Sequence, residues 1–255
     1  MIDIQDAVAV LAGVHRLAVL TGAGISKESG IPTFREAQTG LWAQFDPAEL
    51  ATREAFRANP DRVWSWYMSR ARRVAAASPN AGHRALVKLE DLIAEVIILT
   101  QNVDGLHTRA GSSRVTELHG RVDRYKCFEN YRGDPTLIDL AAISHDSEHA
   151  PHCPGCRAKV RPDVVWFGER LPRHAVDAAH SAVAACDAML VVGTSGLVQP
   201  AASLPIEARR HGAPVIDVNP EPDALARYAD VYLAGAAGQI LPQLVNQLEN
   251  HAHRR

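Results

Sequence analysis

Several short blocks of the sequence set reactive or ligand-binding side chains directly after apolar runs. The first reads Thr21-Gly22-Ala23-Gly24-Ile25-Ser26-Lys27-Glu28-Ser29-Gly30-Ile31-Pro32-Thr33-Phe34-Arg35. Glycines after a buried strand let the backbone turn tightly and approach a phosphate, whose charge suits the N-terminus of a following helix. A dinucleotide fingerprint would carry a third glycine where Lys27 stands, so a purely structural turn explains the two glycines about as well. The second block, Thr100-Gln101-Asn102-Val103-Asp104-Gly105-Leu106-His107, clusters amides and a carboxylate suited to ribose hydroxyls and a carboxamide, or to a plain polar loop cap. The third, Val115-Thr116-Glu117-Leu118-His119-Gly120, offers a histidine at a strand end. Such a histidine is commonly structural; beside a glycine at a ligand-binding edge it becomes a candidate general base, because its pKa lies near neutrality. Gly193-Thr194-Ser195-Gly196 and Asn219-Pro220-Glu221 add small hydroxyls for phosphate and an Asn/Glu pair for a ribose. Tyr67 and Arg70 are three residues apart, so on a helix they share a face, where a phenol and a guanidinium form either a carboxylate receptor or a solvated patch.

These blocks need a scaffold that brings them together. Short apolar runs at Leu17–Leu20, Val96–Leu99, Met189–Val192, Val215–Val218 (interrupted by Asp217) and Val231–Leu233 read as strands buried on both faces. Helical spacing at His83–Ile93, Ala175–Cys186 and Leu204–His211 lies between them, which predicts right-handed crossovers and an α/β, doubly wound parallel sheet. Two stretches interrupt that rhythm, one rich in aromatics and one in cysteine, proline and histidine. The expected division is a Rossmann-like domain from 1–35, 81–120 and 169–255, with a smaller lobe from 36–80 and 121–168. Asn250–Arg255 reads as a frayed basic tail.

Composition sets the outer limits. The 255 residues are 47% hydrophobic and 22% charged, a globular balance that excludes disordered and fibrous classes. A net charge of −2 argues against a nucleic-acid partner held through phosphates. No apolar run is long enough to span a membrane, and the first residues lack a basic leader, so a cytoplasmic protein with no membrane partner is expected. Four cysteines in this length suggest a reducing compartment.

Taken in order, GAGIS-x-ESGIPTFR, TQNVDGLH, HG, RPDVVWFGE (Arg161–Glu169), GTS and NPE resemble the sirtuin family of NAD-dependent protein deacylases, from about residue 16 to 240. The Tyr67/Arg70 pair followed by PNAGHRAL at Pro79–Leu86 resembles the desuccinylase and demalonylase branch. The resemblance implies that NAD is held by Gly22, Ala23, Gly24, Ser26, Phe34, Arg35, Gln101, Asn102, Val103, Asp104, Gly193, Thr194, Ser195, Asn219, Pro220, Glu221 and Ala237. It makes His119 the catalytic base, with Asn102 also in the catalytic group, and gives Val165, Trp166, Phe167 and Gly168 the role of a strand edge for an acyl-lysine protein substrate. The implied reaction releases nicotinamide, then transfers the acyl group from lysine to ADP-ribose. An NAD glycohydrolase, a mono-ADP-ribosyltransferase and a non-catalytic NAD sensor are the competing readings.

The family's smaller lobe usually binds structural zinc through two C-x-x-C pairs. Here Cys153-Pro154-Gly155-Cys156 is a complete pair, whereas the other reads Cys127-Phe128-Glu129-Asn130. Asparagine is a poor zinc ligand. Either His145, His149 or His152 completes a Cys₃His site around Cys127, Cys153 and Cys156, or the lobe holds by packing without metal. Cys186 falls in a helical pattern and is expected in the core.

Overall fold

A computed structural model describes residues 4–32, 50–129 and 137–253. In chain order the elements that matter here are α1 (Ile4–Leu11), β1 (Arg16–Thr21), α2 (Arg53–Ala58), α3 (Pro60–Ala76), α4 (Ala81–Leu92), β2 (Glu95–Thr100), α5 (Leu106–Ala110), β3 (Val115–Glu117), β4 (Gly120–Cys127), β5 (Val160–Val164), α6 (Arg173–Ala185), β6 (Ala188–Val192), α7 (Leu204–Arg210), β7 (Val215–Asn219), β8 (Val231–Ala234) and α8 (Ala237–Ala252).

Six strands form one sheet in the order β3-β2-β1-β6-β7-β8, and every pairing is parallel. This is the doubly wound arrangement that the apolar runs predict. One face is covered by α1, α4 and α8 through Leu11, Leu86, Leu89, Leu241 and Leu244, the other by α6 and α7 through Ala175, Val183 and Leu204. The chain order reverses between β1 and β6, and ligands of such sheets bind at the carboxyl ends of the strands at that reversal. Truncating a fully buried residue such as Leu86 to alanine would destabilise the fold by roughly 2–5 kcal/mol.

A separate core joins α2 and α3 to the antiparallel pair β4–β5 through Phe56, Trp64, Tyr67, Val122, Val160 and Trp166. Inside it the fully buried Arg161 guanidinium lies over the Trp166 ring and donates to both oxygens of Glu169 at 2.5 and 3.0 Å, so its charge is paired.

Two expectations are corrected. Asn250 is not in a frayed tail, since α8 continues through Ala252 on its buried Leu244, Val245 and Leu248 face. Cys186 is half-buried, with its thiol donating to the Val183 carbonyl, and lies at the margin of the core. Among the described residues, no helix is long and apolar enough to cross a membrane.

Candidate active site

The loops after β1 and β6 meet at the reversal point with their backbones in direct contact. Gly22 N–H donates to Val192 O at 3.0 Å, and Gly24 N–H donates to Gly193 O at 2.8 Å. A Cβ on Gly22 would lie 2.8 Å from Gly193 O, and one on Gly24 only 2.6 Å from the Gly193 Cα. These glycines are therefore required by loop-to-loop packing, whatever else they approach. That is why a turn carrying Lys27 in place of a third glycine still holds its shape.

Beneath this junction, Ser26, Asn102 and Asp104 form a buried cluster. The Ser26 hydroxyl donates to Asp104 Oδ2 at 2.7 Å, and Asn102 Nδ2 donates to Ser26 Oγ at 3.1 Å and to Gly22 O at 3.0 Å. Asp104 Oδ1 accepts from the Leu106 N–H at 2.9 Å, capping the start of α5. Burial pushes the Asp104 carboxyl upward, opposed by these hydrogen bonds and by Arg121 and Arg109. Val103 turns the other way, and its carbonyl accepts from Val122 N–H at the start of the smaller core.

His119 ends the short segment after β3, and its ring is fixed by Nδ1–H donating to Gln101 O at 3.0 Å. That bond places the proton on Nδ1 and leaves Nε2 as the basic nitrogen. Burial holds its pKa below the ordinary histidine value, so the ring is neutral at pH 7. Gly120 follows at φ +74°, and a Cβ there would collide with the Asp163 carbonyl oxygen. The histidine–glycine pair thus lets β4 leave at once toward the smaller lobe while the ring stays at the cleft.

The second half of the sheet supplies a linked row. Gln101 Nε2 donates to Thr194 Oγ1 at 2.9 Å, and Asn219 Nδ2 donates to Thr194 O at 2.9 Å. Gly193 and Thr194 are buried and Ser195 is half-buried, whereas Pro220 and Glu221 lie exposed on the loop after β7. Ala237 is the first residue of α8, whose Gly238 N–H donates to Glu28 at 2.7 Å, tying that helix start to the β1 loop. Phe34 and Arg35 lie outside the described residues.

On α3, the Tyr67 hydroxyl accepts from Trp166 Nε1–H at 2.8 Å, and Arg70 lies over the Trp66 ring at 4.9 Å. Burial pushes the Tyr67 hydroxyl up to about 12, so it remains protonated and its proton is available to an acceptor. Among the described residues, Arg70 makes no hydrogen bond or ion pair.

The expected peptide edge needs a correction. β5 ends at Val164, and the N–H groups of Val165, Trp166 and Phe167 donate respectively to His119 O, Glu169 Oε2 and Ala51 O, each at 2.9 Å. The Trp166 side chain is buried in the smaller core, whereas Phe167 and Gly168 are exposed. An incoming strand would therefore find these three donors already engaged.

Cys127, Cys153 and Cys156 converge, with all sulfurs within 4.8 Å and the Cys127–Cys156 pair at 3.3 Å. One tetrahedral zinc would set sulfurs about 3.8 Å apart, given Zn–S bonds of about 2.3 Å. The trio fits three of the four positions and would hold a structural ion; none of its members lies among the residues around His119. The expected histidine ligands do not join it. His145, His149 and His152 direct Nδ1 to Ile143 O, Asp146 and Arg157 O, and no histidine completes the cluster among the described residues. Asn130 lies outside the described residues.

Sequence reasoning assigned no role to a buried chain behind the site. Thr21 Oγ1 donates to Thr100 Oγ1 at 2.8 Å and lies 2.9 Å from His107 Nε2, while Thr100 Oγ1 accepts from Asn102 N–H at 3.0 Å. The His83 ring lies 4.9 Å from that of His107. His107 stands in the TQNVDGLH block, so its proximity to the site was the available clue.

The Sir2 family matches residues 22–200 of this chain. An NAD-dependent protein deacylase of Pseudomonas aeruginosa is 47% identical over 94% of this chain and 97% of its own length. One from Pyrococcus abyssi is 45% identical over 96% of this chain and 98% of its own. Among solved structures, a Sir2 homologue in complex with NAD superposes with a TM-score of 0.89 at 39% identity, over 98% of this chain and 95% of that one.

Proposed function

The chain belongs to the Sir2 family and is an NAD-dependent protein deacylase, and on that premise we propose that it prefers lysines whose acyl group ends in a carboxylate, such as succinyl or malonyl. Bound NAD supplies the carbon that accepts the acyl oxygen and the nicotinamide that leaves. The protein's own contribution is placement and proton handling. Ser26, Asn102 and Asp104 are linked by hydrogen bonds through the Ser26 hydroxyl, which favours a fixed geometry for the nicotinamide end. His119 holds its proton on Nδ1 and so presents a basic Nε2 to a hydroxyl brought against it. Acetyl-lysine is expected as the secondary substrate.

The observation that carries the acyl preference is Arg70. A guanidinium at the inner face of the smaller lobe, stacked on Trp66 and without a polar partner among the described residues, is suited to a carboxylate. The adjacent Tyr67 has a hydroxyl proton left to donate, because its oxygen accepts from Trp166. The test is mass spectrometry of acetyl, malonyl, succinyl and glutaryl peptides incubated with and without NAD. Faster NAD-dependent loss of the acidic groups, with matching nicotinamide release, supports the reading; faster loss of acetyl overturns the preference alone.

We propose further that the three-thiol corner binds zinc weakly, since the described residues supply only three ligands. Metal analysis of protein purified without chelator is expected to give well under one zinc per chain. Stoichiometric zinc would show that a fourth ligand comes from elsewhere.

A further inference from the structure

Asp217 lies in the middle of β7, fully buried, two residues before Asn219 on the same face of the strand. Asn219 Nδ2 is surrounded by acceptors: Thr194 O at 2.9 Å, Asp223 Oδ2 at 3.1 Å and Asp217 Oδ1 at 3.5 Å. The amide has two hydrogens, which suit the nearer acceptors Thr194 O and Asp223 Oδ2, so its carbonyl oxygen faces away from them while Asp217 Oδ1 borders the nitrogen at the limit of hydrogen-bond distance. Asp223 is itself anchored, its Oδ1 accepting from the Leu225 and Ala226 N–H groups at 2.7 and 3.0 Å. Asp217 is different: its Oδ2 is buried and, among the described residues, has no hydrogen-bond partner.

A buried carboxylate without a partner for one oxygen and with a second carboxylate nearby is held more readily as the neutral acid. The groups that face it are Asn219 on its own strand, Tyr232 opposite it on β8, and Asp223 on the loop after β7. Tyr232 does not serve it, because its hydroxyl donates to Asn219 O at 2.8 Å. Among the described residues, no cation pairs with it.

We propose that Asp217 is a positioning residue for the adenosine half of NAD, acting through Asn219, and that it performs this role as a neutral acid. Its charge state is felt at the Asn219 amide, which it borders at 3.5 Å, and as a neutral acid it adds no charge beside an anionic dinucleotide. Its ionisation would add a buried negative charge behind Thr194 and Asn219, next to that of Asp223, and weaken dinucleotide binding. Burial, with Asp223 adding to it, pushes the Asp217 carboxyl up to about 7, which puts this change within a testable pH range. The inference rests on the proposed placement of NAD at this sheet edge.

The test uses ADP-ribose, which lacks nicotinamide and so reports on this half of the site rather than on His119. Its dissociation constant is measured by calorimetry from pH 6 to 8.5 on the full chain. Wild type is expected to weaken by on the order of tenfold across this range. Asp217→Asn, neutral at every pH, should bind as wild type does at pH 6 and show a flat profile. Asp223→Asn removes the neighbouring charge, so ionisation of Asp217 becomes easier and the midpoint should move to lower pH. If Asp217→Asn follows the wild-type curve, the proposal is overturned. Should that variant fail to fold, an unmoved midpoint in Asp223→Asn overturns it equally. Failure of wild type to bind ADP-ribose at any pH would instead sink the placement of NAD on which the inference stands.

Discussion

The sheet edge and the α3 face are built on opposite principles. On the sheet side, the polar groups are bonded to each other: Ser26 to Asp104, Asn102 to Ser26 and Gly22, Gln101 to Thr194, and Thr194 to Asn219. On the α3 side, a guanidinium rests on an aromatic ring, and among the described residues it has no hydrogen bond or ion pair. A network completed in advance holds a geometry that does not depend on which protein arrives, and this suits a co-substrate common to every turnover. A charge left unpaired gains most from the ligand that neutralises it, and this suits discrimination among acyl groups.

If that division is right, damage to the sheet side should affect all substrates alike. His119→Ala is expected to lower turnover of acetyl and succinyl peptides together by about 10²–10⁴-fold while ADP-ribose still binds, since general-base groups contribute on that scale. Steady-state kinetics beside calorimetry checks this, and turnover within about tenfold of wild type would remove His119 from the role of base.

The sheet side should also be the acid-labile one. Burial, aided by neighbouring charge, pushes the His83 pKa down to about 4 and that of His107 to about 3, so both rings are neutral in the folded protein. Above pH 6.5 they are neutral in the unfolded chain too and add no pH dependence. Below pH 6.5 the unfolded chain takes up protons that the folded one refuses, so stability falls progressively until about pH 4 and then about pH 3. The loss is on the order of several kcal/mol in total, since each tenfold difference in proton affinity between the two states is worth ~1.4 kcal/mol. Melting temperatures from pH 7.5 to 4 should fall more steeply for wild type than for His107→Gln; parallel curves would show that the buried pair is not what acid attacks.

The same division decides what could be read from the sequence. Residues of the sheet side lie at the ends of strands, and a buried strand announces itself by an apolar run, so the positions of Asn102, His119, Thr194 and Asn219 at strand ends are legible in the sequence. The doubly wound class followed from the same runs. Pairings inside the network were not readable, because Thr21, Thr100, His83 and His107 meet only through strand register and helix packing. Asp217 interrupts an apolar run, and what sets it apart is a buried oxygen with no hydrogen-bond partner among the described residues. The backbone around the proposed peptide edge was not readable for a related reason: the N–H groups of Val165, Trp166 and Phe167 bond to His119, Glu169 and Ala51 from elsewhere in the chain. The histidine ligands failed similarly, since proximity in sequence says nothing of where each ring turns.

Damage to the α3 side should be selective. Arg70→Met is expected to weaken succinyl-peptide turnover about ten- to a hundredfold, chiefly through KM, because charge-assisted hydrogen bonds contribute ~1.5–3 kcal/mol and the contact exists before and during reaction. Acetyl turnover should change little, since that group lacks the carboxylate. Equal losses on both substrates would mean that Arg70 holds the lobe together and that the acyl assignment is wrong.

The smallest effect tests whether the two regions are independent at all. Arg109 stands on α5, directly after the Asp104 cap, and its guanidinium donates to Val74 O at 2.9 Å and Ala77 O at 2.5 Å at the end of α3. It therefore connects the loop that holds Asp104 to the helix that carries Tyr67 and Arg70. The last carbonyls of a helix lack intrahelical partners, so this contact satisfies two of them and fixes where the helix ends. Arg109→Gln should cost about 1 kcal/mol of stability, at the low end for charged hydrogen bonds because water can reach part of this site. The kinetic consequence is expected to be uneven. Small drift of α3 misplaces Arg70 and Tyr67 relative to a distal carboxylate, raising KM for succinyl peptide a fewfold, whereas acetyl turnover depends on the sheet side and should stay within about twofold, the scatter expected between independent sites. Arg109→Lys, which keeps the charge but reaches fewer carbonyls, should fall between. A uniform decline across acyl groups would show that disturbance at α5 reaches the Asp104 network as well, and that the two regions move as one.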